Sequence, residues 1–269
     1  MRDRAGALKH AFVVPAYGES PYLRDCLRSL QLQSLPGSEI VVTTSTPSRQ
    51  IEAVAAEHSV ELRINPKRGN IGSDWNFALT ATGADWVTLA HQDDCYEPRY
   101  AETLLNAMRA RPDALIAFCD YREVTHAGPR PDNLNLHIKR LMCRANFGRR
   151  GVLTSVSARR RLLSLGNPIC CPSVILNRAR VPDFRFVESM RSNLDWDAWM
   201  RLADCPGDFV YVREPLVVRR IHAQSETSAA IADRQREAED RQMFGRVWPG
   251  PVAALITRVY RASFRANRS

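Results

Sequence analysis

No aspartate or glutamate occurs between Asn133 and Pro182. The same stretch carries Lys139, Arg140, Arg144, Arg149, Arg150, Arg159, Arg160, Arg161, Arg178 and Arg180. A field of one sign over that length attracts phosphates, acidic sugars, anionic lipid or nucleic acid. The plainer alternative is a solubilising surface. The seven cysteines form no Cys-x-x-Cys, and their number is odd. That argues against a disulfide framework and fits a reducing cytosol. Cys119 and the Cys170-Cys171 pair fall in apolar surroundings and read as core, so no cysteine is given a metal or nucleophile role. Met1 to His10 has no apolar h-region, so a secretory signal is not expected. No apolar run is long enough to span a bilayer. Repeats, low-complexity tracts, zinc fingers, helix-turn-helix patterns and aromatic-interleaved basic motifs are all missing, which leaves little to support nucleic-acid binding.

What is present suits one large domain or two small ones. The chain has 269 residues, 45% hydrophobic and 25% charged, with a formal net charge of +9, the composition of a soluble globular protein with a sizeable core. Short apolar runs at Ala11–Pro15, Glu39–Thr44, Val60–Ile64, Trp86–Ala90 and Ala114–Cys119 read as strands. Helical spacing over Tyr22–Leu32, Pro47–His58, Ser73–Ala81 and Glu97–Arg109 separates them. This alternation predicts an α/β fold with a mostly parallel central sheet flanked by helices. Further on, Asn133–Phe147 reads as a basic helix, Leu153–Leu165 as a helix and Pro172–Leu176 as a strand. Leu194–Ala203 reads as an aromatic-rich helix, and Phe209–Val212 and Leu216–Ile221 as strands around Glu214-Pro215. Beyond Pro249 and Pro251, the residues Val252, Leu255, Ile256, Val259, Tyr260 and Phe264 recur at helical spacing beside Arg258, Arg261, Arg265 and Arg268. A basic amphipathic helix of this kind can lie on an anionic membrane or dock on its own domain.

Three constellations carry chemistry. The strand Trp86–Ala90 runs into His91-Gln92-Asp93-Asp94. Adjacent carboxylates at a strand's carboxyl end can hold a divalent metal that bridges a diphosphate. Oxygen ligands favour Mg²⁺ or Mn²⁺, and His91 can add a ligand or hold a ribose hydroxyl. A helix N-cap or an exposed turn is the structural alternative. The second is Leu194-Asp195-Trp196-Asp197-Ala198-Trp199. Its two acids lie about 200° apart on a helix, so one can cap the helix while the other enters a cleft as a general base. Both could instead simply favour the helix N-terminus. The third is Arg219-Arg220-Ile221-His222-Ala223-Gln224-Ser225, where Arg and His can meet a diphosphate or a metal.

The order of these segments resembles glycosyltransferase family 2, whose fold is GT-A (Rossmann-like). The resemblance runs from about Ala11 to Ser225. Phe12-Val13-Val14-Pro15-Ala16-Tyr17-Gly18-Glu19 is similar to the family's opening strand and Pro-x-Tyr-Asn-Glu loop. Gly72-Ser73-Asp74-Trp75-Asn76 is similar to its Gly-x-x-x-Asn helix segment, and Gly83 to Asp94 to the stretch ending in Asp-x-Asp. Leu194-Asp195 stands at the Glu-Asp motif, and Arg220-Ile221-His222 at a frequent Arg-x-His. The resemblance implies an inverting transferase using a nucleoside-diphosphate sugar and Mn²⁺ or Mg²⁺. It implies Asp195 as the base, with Asp197 as the further catalytic candidate. Asp93, Asp94 and His222 are implied for the metal, and Pro15, Ala16, Tyr17, Glu19, Thr44, Asp74, Asn76, His91 and Asp93 for the donor pocket. Thr43-Thr44 stands where the family usually has a base-reading Asp, His91 where Asp-x-Asp begins, and Leu194 where Glu is usual.

The expected organisation is a catalytic domain over 1–225, with a nucleotide-sugar half at about 10–125 and an acceptor half at 126–225. A helical C-terminal extension over 226–269 follows. The expected partner is a glycan or lipid-linked oligosaccharide acceptor, anionic in keeping with the basic middle. The expected place is the cytoplasmic face of a membrane, with peripheral contact through 252–268. Two rivals remain: a sugar-nucleotide binder of the same fold without catalysis, and a basic nucleic-acid-binding protein.

Overall fold

The computed structural model describes residues 9–222 and 234–265, with the backbone alone at 234 and 261–265. Ala223 to Ser225 of the third constellation, and Arg268, lie outside the described residues. The element order is β1 (His10–Ala16), α1 (Leu23–Gln31), β2 (Glu39–Thr44), α2 (Arg49–Glu57), β3 (Glu61–Ile64), α3 (Ile71–Thr80), β4 (Trp86–Leu89), β5 (Cys95–Tyr96), α4 (Tyr100–Arg109), β6 (Ala114–Thr125), β7 (Gly128–Arg130), α5 (Leu134–Phe147), β8 (Val152–Leu153), α6 (Val156–Leu163), a 3₁₀ turn (Cys171–Ser173), β9 (Val174–Asn177), α7 (Leu194–Ala203), β10 (Asp208–Arg220), α8 (Arg234–Gly245) and α9 (Gly250–Arg265).

One sheet runs β3-β2-β1-β4-β9-β6-β10-β5, with β7 on β6 and β8 on β10. The quartet β3-β2-β1-β4 is parallel, as the alternation predicts. The sheet as a whole is mixed, because β9 runs antiparallel between β4 and β6. β6 and β10 pair in parallel with the same sense as the quartet. The chain moves from β1 outward to β2 and β3, then returns to place β4 on the other side of β1. That reversal is a topological switch point, and ligands of open α/β sheets bind outside the carboxyl ends of the strands there.

β1 shows why the sheet is covered on both faces. Ala11 and Val13 enter one apolar cluster, and Phe12, Val14 and Ala16 the other, as a period of two demands. Met243 and Phe244 of α8 and Ala253 of α9 belong to the first cluster, so both C-terminal helices share the domain core. All seven thiols are free, and Cys119, Cys170 and Cys171 are buried, as expected. No helix among the described residues is long and apolar enough to cross a membrane.

Candidate active site

The loops after β1 and β4 meet at the switch point. Gln92 ties them: its Oε1 accepts from the Tyr17 amide at 3.2 Å, and its Nε2 donates to the Tyr17 carbonyl at 3.0 Å. Tyr17 itself is 62% exposed. Pro15 and Ala16 close β1 beneath it, and Glu19 lies exposed in the same loop. Gly18 N–H donates to Thr46 Oγ1 at 2.8 Å, and Thr46 N–H to Thr44 Oγ1 at 3.0 Å. The buried Thr44 at the end of β2 thus joins the loop by hydroxyls alone. Asp74 on α3 accepts from Ser45 Oγ at 2.9 Å and from Asn65 Nδ2 at 3.1 Å, linking the ends of β2 and β3 to the helix.

Asn76 serves a different end. Its Nδ2 donates to the Phe186 carbonyl at 2.9 Å, and its Oδ1 accepts the Phe186 amide at 2.8 Å. Asn70 Nδ2 donates to the Glu188 carbonyl at 2.6 Å. A Cβ on Gly72 would lie 2.6 Å from the Val187 carbonyl oxygen, so only glycine admits that backbone. The Gly-x-x-x-Asn segment therefore seats residues 186–188 on α3, and Asn76 spends its amide there.

The β4 loop gathers its acids. One ligand atom each from His91, Asp93 and Asp94 lies within 4.8 Å of the others. The Nε2 of His91 is buried with no hydrogen-bond partner, and its ring rests 5.1 Å from that of Trp75. Burial pulls the His91 imidazole down to about 4, so its nitrogen lone pair is available near neutral pH. Burial first, and then the Asp93 charge, hold the Asp94 carboxyl well above the usual carboxylate range. An orphaned imidazole nitrogen beside two crowded carboxylates is a donor set that fits a divalent cation, whose charge reverses such a shift.

The end of β10 grips this cluster. The Arg220 amide donates to Asp94 Oδ1 at 2.9 Å, and its Nε to the Asp93 carbonyl at 3.2 Å. Its guanidinium lies 4.4 Å over the Tyr22 ring. His222 Nε2 lies 3.0 Å from Asp93 Oδ2. Of the three residues expected at the metal, Asp93 and Asp94 thus sit in the cluster, and His222 reaches it through Asp93.

The two acids of α7 part company. Asp195 Oδ1 accepts the Trp196 amide at 2.7 Å, and Oδ2 accepts Asn167 Nδ2 at 2.9 Å. Burial raises its carboxyl, partly offset by the Trp196 N–H, Lys139, Arg236 and Arg219. Asp197 is 1% exposed and takes Arg201 Nε at 2.8 Å and Arg246 Nη1 at 2.6 Å. It pins α7 to the segment after α8. Arg219 lowers the carboxyls of both Asp94 and Asp195 electrostatically. Sequence reasoning missed Gln92, Asn167 and Lys139. A Gln between the His and the acids was the only visible signal; Asn167 and Lys139 come from distant segments and gave none.

These features define a mixed α/β domain with an acidic cluster at its switch point whose donor set fits a divalent cation. Residues 11–180 match the family model described as Glycosyl transferase family 2. The chain belongs to that family, as its motifs suggest. It is 25% identical over 115 residues to EpsH of Bacillus subtilis (strain 168), named as a glycosyltransferase; that stretch is 41% of this chain and 33% of EpsH, about a third of its length. Among solved structures, it resembles S. aureus TarS 1-349 in complex with UDP-GlcNAc, with a TM-score of 0.62, 15% identity, and coverage of 93% of this chain and 70% of that one. It also resembles the mannosyltransferase PcManGT from Pyrobaculum calidifontis in complex with GDP-Man and Mn²⁺, with a TM-score of 0.63, 16% identity, and coverage of 98% and 72%. These likenesses establish the shared GT-A fold.

Proposed function

We propose that this protein is an inverting, metal-dependent glycosyltransferase. It moves a sugar from a nucleoside-diphosphate sugar to a glycan or lipid-linked oligosaccharide in surface polysaccharide synthesis, at the cytoplasmic face of a membrane. Residues 1–225 carry its catalytic machinery, and α8 and α9 complete the core beneath it. The observation that carries this is geometric: ligand atoms of His91, Asp93 and Asp94 gather within 4.8 Å at the end of β4, and Asp195 is held by Asn167 and the Trp196 amide at the start of α7. Burial raises the carboxyls of both Asp94 and Asp195, and perturbed carboxyls of this kind cluster at functional sites. The ligands named for the TarS and PcManGT structures support the donor class and the metal.

Asp195 takes the proton of the acceptor hydroxyl, with Asn167 and the Trp196 amide holding the carboxylate in line. The acceptor oxygen forms its bond to the anomeric carbon as the bond to the diphosphate oxygen breaks, and the electron pair leaves with the diphosphate. One displacement of this kind inverts the anomeric centre. Asp93, Asp94 and His91 would hold Mn²⁺ or Mg²⁺, which supplies positive charge to the departing diphosphate, while His222 orients Asp93. Tyr17, Thr44 and the adjoining hydroxyls line the nucleotide side, and Arg220 braces the acid loop from β10.

A panel of nucleotide sugars tested by thermal shift with Mn²⁺ checks this. A ligand at a hundred times its Kd adds about 2.7 kcal/mol of stability, so the true donor class raises the melting temperature, and chelation abolishes the rise. No shift with any nucleotide sugar overturns the proposal. Donor binding without release of nucleoside diphosphate would instead favour a non-catalytic binder.

A further inference from the structure

Two helices show solvent an apolar face. On α5, Leu134, Ile138 and Leu141 are 62%, 41% and 66% exposed. At 3.6 residues per turn they fall within roughly 60° of arc, opposite the buried Leu136, Cys143 and Phe147. Single exposed aliphatics are ordinary, but three aligned over two turns are not. On α9, Val252, Leu255 and Val259 are 39%, 63% and 64% exposed, while Ala253 and Thr257 on the other side are buried. The C-terminal helix therefore docks on its domain and still presents a second apolar face.

Charge singles out the occupant. No acid lies between Asn133 and Pro182, and none follows Asp240. Exposed Arg144, Arg149 and Arg150 accompany the α5 face, and exposed Arg258 the α9 face. Both helices adjoin α6: Arg161 Nε donates to Asn146 of α5 at 3.2 Å, and Gly166, just past α6, abuts Tyr260 of α9. A second copy of this chain would bring the same positive charge and be repelled. Nucleic acid has no use for aliphatic stripes. A bilayer with anionic headgroups takes both features, aliphatic side chains at the acyl boundary and arginines at the phosphates.

We propose that the apolar faces of α5 and α9 seat the protein on an anionic phospholipid bilayer surface. This gives a structural basis to the membrane-face reading above and rests on it. Vesicle binding and donor turnover are measured separately, so either can fail alone.

The test is flotation of the full chain with vesicles of about 30% phosphatidylglycerol in phosphatidylcholine. Binding is expected, and falls about tenfold or more on pure phosphatidylcholine, or with the triple variant Leu134→Gln/Ile138→Gln/Leu141→Gln, or with Val252→Gln/Leu255→Gln/Val259→Gln. Each variant keeps its circular dichroism spectrum and its release of nucleoside diphosphate from soluble donor, because the substituted side chains are exposed and outside the site. Full vesicle binding by either triple variant overturns the inference. So does a wild-type chain that ignores anionic vesicles at low ionic strength, including one that self-associates through these faces instead.

Discussion

Asp195 and Asp197 sit two residues apart, yet their surroundings assign them opposite consequences when removed. Asp197→Ala deletes a buried carboxylate that accepts from Arg201 at 2.8 Å and Arg246 at 2.6 Å. A hydrogen bond to a charged group contributes about 1.5–3 kcal/mol. The two arginine side chains are 42% and 36% exposed, so water recovers part of each contact. Discounted for that screening, the loss is about 2–4 kcal/mol. For a chain of this size the melting temperature then falls by about 5–12 °C. Thermal unfolding followed by circular dichroism reads this directly. Turnover of the protein still folded at 25 °C stays within about tenfold of wild type, because Asp197 touches only the structural arginines. An Asp197→Ala protein of wild-type stability and no turnover would refute the assignment and move the base role from Asp195 to Asp197.

Three further outcomes follow from the same geometry. His10 is buried between Ser38 Oγ at 2.8 Å and Thr88 Oγ1 at 3.0 Å, and burial pulls it down to about 3. The unfolded chain therefore takes a proton below pH 6.5 that folded His10 refuses, so stability is lost as pH falls; His10→Gln should remove about 2 kcal/mol of the loss between pH 7 and pH 5, read from urea midpoints. Gln92→Ala cuts both ties to Tyr17 and should raise donor KM about 3- to 10-fold at nearly constant kcat in steady-state assays. Turnover should fall as pH drops through an apparent pKa above the usual carboxylate range, because Asp195, as the proposed base, must be ionised to accept a proton and burial raises it; a profile flat down to an ordinary carboxylate pKa would count against the base role.

The parallel quartet was legible because β1, β2 and β4 each hold a short apolar or β-branched run, with helices of 3.6 periodicity between them. The basic helix over Asn133–Phe147 and the α7 helix were legible for the same reason. β5, β7 and β8 were not, since two or three residues carry no period and form only against partners distant in sequence. Leu153 pairs with Phe209 in β8, which delays α6 to Val156. Glu214-Pro215 reads as a break between strands, yet β10 passes through it by register shifts around Pro215, where a missing N–H is tolerated. Within the site, Asp93, Asp94 and Asp195 stood out by residue type and position. The contacts of Asn76 and Asp197 did not, because their partners, Phe186 and Arg246, lie 110 and 49 residues away.

The proposed division of labour rests on Asp195 as the base that deprotonates the acceptor hydroxyl, while the β4 cluster holds the donor. Nucleoside diphosphate release from the donor found by thermal shift, measured for wild type and Asp195→Asn at saturating donor and Mn²⁺, tests it most directly. The expected result is a fall in rate of about 10²- to 10⁴-fold with donor affinity unchanged. A variant that releases diphosphate at the wild-type rate, or that fails because it no longer binds donor, contradicts it.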